Sequence, residues 1–137
     1  MPIVYRVDHS AHLVVVAAHG VLTNEDVFGY QQGVWSRSEV AGYDELIDVT
    51  RVTEIALPSV DRVRDLATLS AKMDDTGAKS RLAVVAEADV AFGLGRMFQS
   101  YRQLDQRSTK EVAIFRTLKE ALTFLRIDHP PEMPDVV

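Results

Sequence analysis

Leu13-Val14-Val15-Val16-Ala17-Ala18 is an apolar run with no polar alternation. Successive side chains of a strand point to opposite faces, so a strand with one wet face alternates polar and apolar residues. A run that does not alternate is covered on both faces, as a central strand of an α/β sheet is. Leu82-Ala83-Val84-Val85-Ala86 and Val112-Ala113-Ile114-Phe115 have the same character. Together the three predict interior neighbours in one layer, clothed by helices front and back.

Upstream, Ile3 to Val7 is β-prone, and Asp8-His9-Ser10-Ala11 reads as a hairpin turn into His12 to His19. Gly20 is expected to end that strand. Downstream, Thr23-Asn24-Glu25-Asp26 opens a helix: Thr23 caps free amides, and the acids suit the positive end of the helix dipole. Val27, Tyr30, Val34 and Trp35 share one face at helical spacing. Leu46-Ile47 begins a third strand that ends in Asp48-Val49-Thr50. Pro58-Ser59 marks a second helix with Val60, Val63, Leu66, Ala67, Leu69 and Met73 as its buried stripe. Asp74-Asp75-Thr76-Gly77 closes it, with Gly77 as a left-handed cap. Asp89 caps a third helix that carries Phe92, Leu94, Met97, Phe98, Tyr101 and Leu104. Thr117 and Glu120 form a capping box ahead of Leu118, Ala121, Leu122 and Leu125. Pro130, Pro131 and Pro134 disfavour helix, so 127–137 is expected as an extended tail behind a domain over 1–126.

The order is ββαβαβαβα. Strands joined by helices run parallel with right-handed crossovers. The expected class is α/β: a five-stranded, mostly parallel sheet with the first strand antiparallel at an edge and helices covering the faces.

Composition narrows the function classes. The chain has 137 residues, 47% of them apolar and 26% charged, a globular balance. It has no cysteine, which excludes disulfides, zinc–thiolate sites and thiol nucleophiles. No apolar run approaches the roughly 20 residues of a membrane span. No basic lead followed by a long apolar stretch opens the sequence, so a cytoplasmic location is expected. The net charge of −5 argues against nucleic acid as a partner. Acids outnumber bases in 1–78 and 120–137, whereas bases prevail in 79–119. That asymmetry suits either a solvated dipole or attraction of an anionic partner.

The element order and size resemble the STAS-type anti-sigma-factor antagonist fold. The closer resemblance is to the bacterial SpoIIAA-like family, also described as STAS/CRAL-TRIO-like. It rests on Gly20-Val21-Leu22-Thr23, Leu46-Ile47-Asp48-Val49-Thr50, Ser59 with Asp61, Arg81-Leu82-Ala83-Val84-Val85, Phe92-Gly93-Leu94-Gly95-Arg96-Met97-Phe98, and Phe115-Arg116 with Glu120-Ala121-Leu122. It spans roughly residues 3–126. The resemblance implies parallel strands in sequential order and little about function; the expected role is a non-enzymatic bacterial module, regulatory or protein-binding. This branch has no established common activity.

STAS antagonists carry a phosphorylatable hydroxyl after the third strand, in an Asp-x-Ser-Gly pattern. Here Asp48 precedes Thr50, but Arg51 stands where the glycine would be, and Ser59 lies closer to the next helix. Thr50 and Ser59 are therefore the phosphoswitch candidates, since helix N-termini favour phosphate. Capping alone also accounts for a serine at 59. A second candidate is Gly93, Gly95, Arg96 and Met97, with Asp48 as counter-charge for Arg96. Two helical glycines cost about 1 kcal/mol each relative to alanine, so a closely packed backbone or a ligand is expected there. A third is an apolar groove near Arg96 for a hydrophobic, lipid-like anion, lined by aromatics such as Phe28, Tyr30, Trp35, Phe92, Phe98 and Tyr101. The same residues also suit plain core. Partner candidates are therefore another protein, a second copy or a hydrophobic small molecule.

Catalysis has no support in motif form. His9, His12, His19 and His129 fall at turns, strand ends or the tail, and no nucleophile elbow, zinc helix or phosphate loop is present. No cofactor or metal is expected. The pairs Asp44-Glu45 and Asp74-Asp75 read as solvated turn carboxylates.

Overall fold

The computed structural model describes residues 2–57, 59–75 and 77–135. The expectations placed on Pro58 and Thr76 lie outside them, as do residues 136 and 137 of the tail. The strands are β1 (Ile3–Asp8), β2 (Leu13–Thr23), β3 (Asp44–Ala56), β4 (Ser80–Val85) and β5 (Lys110–Phe115). The helices are α1 (Asn24–Trp35), α2 (Asp61–Lys72), α3 (Asp89–Leu104) and α4 (Leu118–Leu125). One sheet runs in the order β1-β2-β3-β4-β5, with β1 antiparallel to β2 and the remaining neighbours parallel.

This topology dictates the layering. When each parallel strand adds beside the last, right-handed crossovers put every connecting helix on the same face. Accordingly Val14 and Val16 pack with α1, and Leu82, Val112 and Ile114 with α3. Side chains of opposite parity, Leu13, Val15, Leu46, Ala83 and Val85, face α4, which follows the last strand and closes the other side. Ile127 and Met133 pack against the same cluster, so residues beyond 126 help to cover that face.

Sequence and structure part company at four places. Val112–Phe115 belongs to the outer strand of the sheet and is not an interior neighbour. Gly20 does not end β2. It takes a left-handed φ of +67° beside two register shifts, a bulge that lets the strand run on to Thr23. β3 likewise continues past Thr50 to Ala56. Beyond Ala18 and Asp48 neither strand has a second neighbour, and the pair projects past the sheet as a two-stranded parallel ribbon. At the end of α2, Met73 closes the helix in right-handed conformation, and the positive-φ glycines are Gly20 and Gly42, not Gly77.

The caps read from local spacing hold. The Thr23 hydroxyl accepts from the Asp26 amide, and the Asp26 carboxylate accepts from the Thr23 amide at 2.8 Å. The Thr117 hydroxyl accepts from the Glu120 amide at 3.3 Å and donates to the Glu120 carboxylate at 2.9 Å, so it caps α4 without the reciprocal backbone bond of the expected capping box. Ser59 does not cap: α2 begins after Val60 with no side-chain bond, and α3 begins after Ala88 rather than with Asp89 as its cap.

Candidate functional site

α2 packs chiefly against α3 and α1 rather than down onto the sheet. The gap beneath it is a partly open cavity of about 170 Å³. Val16, Ile47, Val49, Leu82 and Val84 supply the sheet wall, and Val27, Val63, Leu66, Leu94 and Phe98 the helical walls. Leu22 and Ile55 from the projecting ribbon, with Leu57 just after it, cover one end. Tyr30, Gln31 and Glu45 form the opposite end. Arg62 also lines the cavity, and its side chain is 34% exposed, so it marks where the cavity meets solvent. Interiors are ordinarily packed so that voids larger than a water are few. A space this size is therefore a feature of the site, not packing noise.

The polar end is built from a buried network. Glu45, 3% exposed, accepts from the Tyr30 hydroxyl at 2.5 Å and from the Trp35 indole N–H at 3.1 Å. The Lys110 ammonium lies 3.4 Å from the other Glu45 oxygen and 3.5 Å from the centroid of the Trp35 ring. Burial pulls the Lys110 ammonium below its ordinary range, while the Glu45 charge holds it up. Burial, then the Glu45 charge, pushes the Tyr30 phenol well above its ordinary range, so it stays a hydrogen-bond donor. Behind this lies a second buried pair. Asp74 binds the Arg102 guanidinium and accepts from the Thr109 and Lys110 amides at 2.9 and 3.1 Å. Glu45 and Asp74 are therefore interior partners, not solvated turn carboxylates. Their neighbour Asp44 accepts from the Arg81 amide at 2.8 Å.

No family model matches the chain. No curated protein matches it either. Among solved structures, it is similar to an uncharacterized protein of the DUF3478 family, with a SpoIIAA-like fold, from Shewanella loihica PV-4. The TM-score is 0.55 at 22% identity, covering 90% of this chain and 93% of that one. The fold is SpoIIAA-like. At that identity the likeness establishes architecture alone.

The SpoIIAA-like framework scatters the residues singled out in the sequence. Asp48 sits in register between Ala17 and Val85 and shares their face, the α4 side. Arg96 rides on α3, on the opposite side of the sheet, so the two do not form one surface or an ion pair. Asp48 instead accepts from the Thr50 amide and hydroxyl at 2.9 and 2.7 Å. Thr50 lies within β3 and not at a helix N-terminus; Ser59 is exposed just ahead of α2. Arg96 and Gly93 are exposed, and neither they nor Met97 line the cavity. The groove expected near Arg96 is instead the space behind α3, touched by Leu94, Gly95 and Phe98. Gly95 has a packing reason: a Cβ there would lie 3.2 Å from Ile114. At Gly93 a Cβ would meet nothing within 4 Å.

Of the aromatics, Tyr30 and Phe98 line the cavity, whereas Trp35 and Phe92 belong to packed clusters. Sequence reading missed Gln31, Glu45 and Arg62. For Glu45 the signal was present, since Glu45-Leu46-Ile47 puts an acid directly against an apolar run. Among the described residues no helix is long and apolar enough to cross a membrane. Nor do any three His, Asp or Glu of these residues form a group that could hold a metal ion.

Proposed function

We propose that this chain is a non-catalytic binding module that takes a small apolar molecule into the cavity between α1, α2, α3 and the sheet. The observation that carries the reading is the 170 Å³ volume with apolar walls drawn from strands and helices alike. Apolar cavities near 150 Å³ stay dry and bind molecules such as benzene. The non-catalytic character is supported by the floor itself: Tyr30, Trp35, Glu45 and Lys110 bond one another. The cation beside the cavity is Arg62, held by Asn24 at 2.9 Å and Asp65 at 2.9 Å, with its guanidinium 4.3 Å from the centroid of the Phe28 ring.

Toluene titrated into the isotope-labelled protein is expected to shift the methyl resonances of cavity residues saturably. Leu66→Trp, which fills the space, abolishes that response while the fold persists. Shifts that never saturate, or that survive in Leu66→Trp, overturn the reading.

A protein partner or a second copy is favoured by a different observation. Val21, Val60 and Val90 are 48%, 58% and 69% exposed, and all stand at the end of the sheet where the parallel strands finish. Open α/β sheets bind their partners at that end. Sedimentation should show self-association, or binding to a cognate protein, weakened by joint serine substitution at the three positions. A wild-type chain that stays monomeric and partnerless removes this second role.

A further inference from the structure

The side of the sheet opposite the cavity is covered in two parts. α4 lies chiefly against β4, with β5 and β3 beside it. Over β1 and β2 the cover comes from the chain that follows α4. Arg6 stands in register with Val15, and Asp8 with Leu13, so these four share that face. The Arg6 Nε–H donates to the Glu132 backbone carbonyl at 2.9 Å. The Met133 side chain packs against the cluster that holds Leu13 and Val15. Pro131, Met133 and Pro134 are half-buried, whereas Pro130, Glu132 and Asp135 are exposed. Residues 127–135 form neither helix nor strand.

This segment sits on the sheet without joining its ladder. Among the described residues, the Arg6 bond is the one hydrogen bond that ties residues 128–135 to the rest of the chain. A segment tied so lightly can leave while the strands stay paired. Its three prolines hold φ at about −65°, which reduces the entropy lost when it docks. The surface supplies what an extended peptide needs: a donor for a backbone carbonyl and an apolar seat for the next side chain. We propose that residues 128–135 are a detachable strap, and that the surface beneath it, around Arg6, Leu13 and Val15, docks an extended, proline-containing segment of a partner protein. The seated strap itself shows the chemistry that fits, a backbone carbonyl followed by a methionine between prolines and acids. Its short tether to α4 keeps it at a local concentration of about millimolar order, so a partner segment enters by out-competing it. This surface lies across the sheet from the cavity and does not depend on what the cavity holds.

The probe is the end-blocked peptide Asp-His-Pro-Pro-Glu-Met-Pro-Asp, the sequence of 128–135, titrated into the isotope-labelled full chain. In Met133→Ser, which loosens the strap, it should shift the resonances of Arg6, Leu13 and Val15 saturably, with affinity about tenfold or more above that for the wild type. Adding Arg6→Met to that variant removes the donor and should weaken the peptide about tenfold. In the wild type, saturating peptide should move the Met133 methyl to its position in a free chain, a reading of displacement that needs no variant. The same peptide with serine in place of its methionine should bind neither chain. Binding that leaves the wild-type Met133 methyl in place, shifts confined to another face, or equal affinity for the two peptides overturns the strap. So does the absence of saturable binding to either chain. Dimers of Met133→Ser in place of peptide binding assign the face to a second copy and likewise overturn it.

Discussion

The two ends of the helix-covered side are held by opposite chemistry. At one end Glu45 of β3 pairs with Lys110 of β5, and Asp74, just after α2, with Arg102 of α3, all with buried side chains. At the other, two strands leave the sheet as a ribbon whose inner residues Leu22 and Ile55 close an apolar space. Buried ion pairs are intolerant: remove one partner and an uncompensated charge remains. An apolar rim is tolerant, because its contacts are many and individually small. The polar end therefore carries rigidity and the ribbon end carries access.

The sharpest way to break that contrast is Glu45→Gln. It leaves Lys110 without its counter-charge and should cost about 3–5 kcal/mol in urea unfolding. Without Glu45 the ammonium loses the group that holds its affinity for protons up. The unfolded lysine then binds protons more strongly than the native one, so the stability of the variant should rise with pH up to about 10.5. A pH-independent loss would count against a buried charged lysine.

Tyr30→Phe comes next, at about 1.5–3 kcal/mol near neutral pH for one bond to a charged acceptor. Its pH dependence is the finer check. Native Tyr30 keeps its proton where the unfolded phenol ionises, so wild-type stability is full below pH 10 and declines above it. That decline, at most about 1.4 kcal/mol per pH unit, should be absent from the variant.

Ile55→Thr, in the ribbon, should cost only about 1 kcal/mol while it erases most of the toluene affinity. Equal damage to folding and binding would erase the distinction between the ends. The smallest effect concerns α3. Gly93→Ala should stabilise by up to about 1 kcal/mol, because its Cβ meets open space. Gly95→Ala must displace Ile114 and should gain less or lose; thermal melts of the two decide.

What was legible in the sequence was local or strongly patterned. The unbroken run Leu13–Ala18 marked a strand with neighbours on both sides, and spacings of three residues disclosed the Thr23 and Thr117 caps. The ribbon was illegible because its bulge breaks the two-residue period, and its exposed Arg51, Thr53 and Glu54 read as loop. Glu45 and Lys110 meet across 65 positions, a pairing that no short window contains. Read alone, an acid beside a turn is solvated; only tertiary packing turns it into one half of a buried pair. The phosphoswitch reading leaned on family spacing, and the longer β3 sets Thr50 inside a strand; Arg96 was singled out by its flanking glycines, of which Gly95 packs against Ile114.

The ribbon has one further consequence. A pair of strands with no third neighbour lacks the lateral support that makes a sheet cooperative. Its amides, over residues 19–23 and 51–56, should exchange with solvent through openings that leave the rest of the molecule folded. A guest enclosed beneath it would then escape at the frequency of that partial unravelling. Residence time becomes a property of two loosely tethered segments, adjustable by changes that never touch the guest.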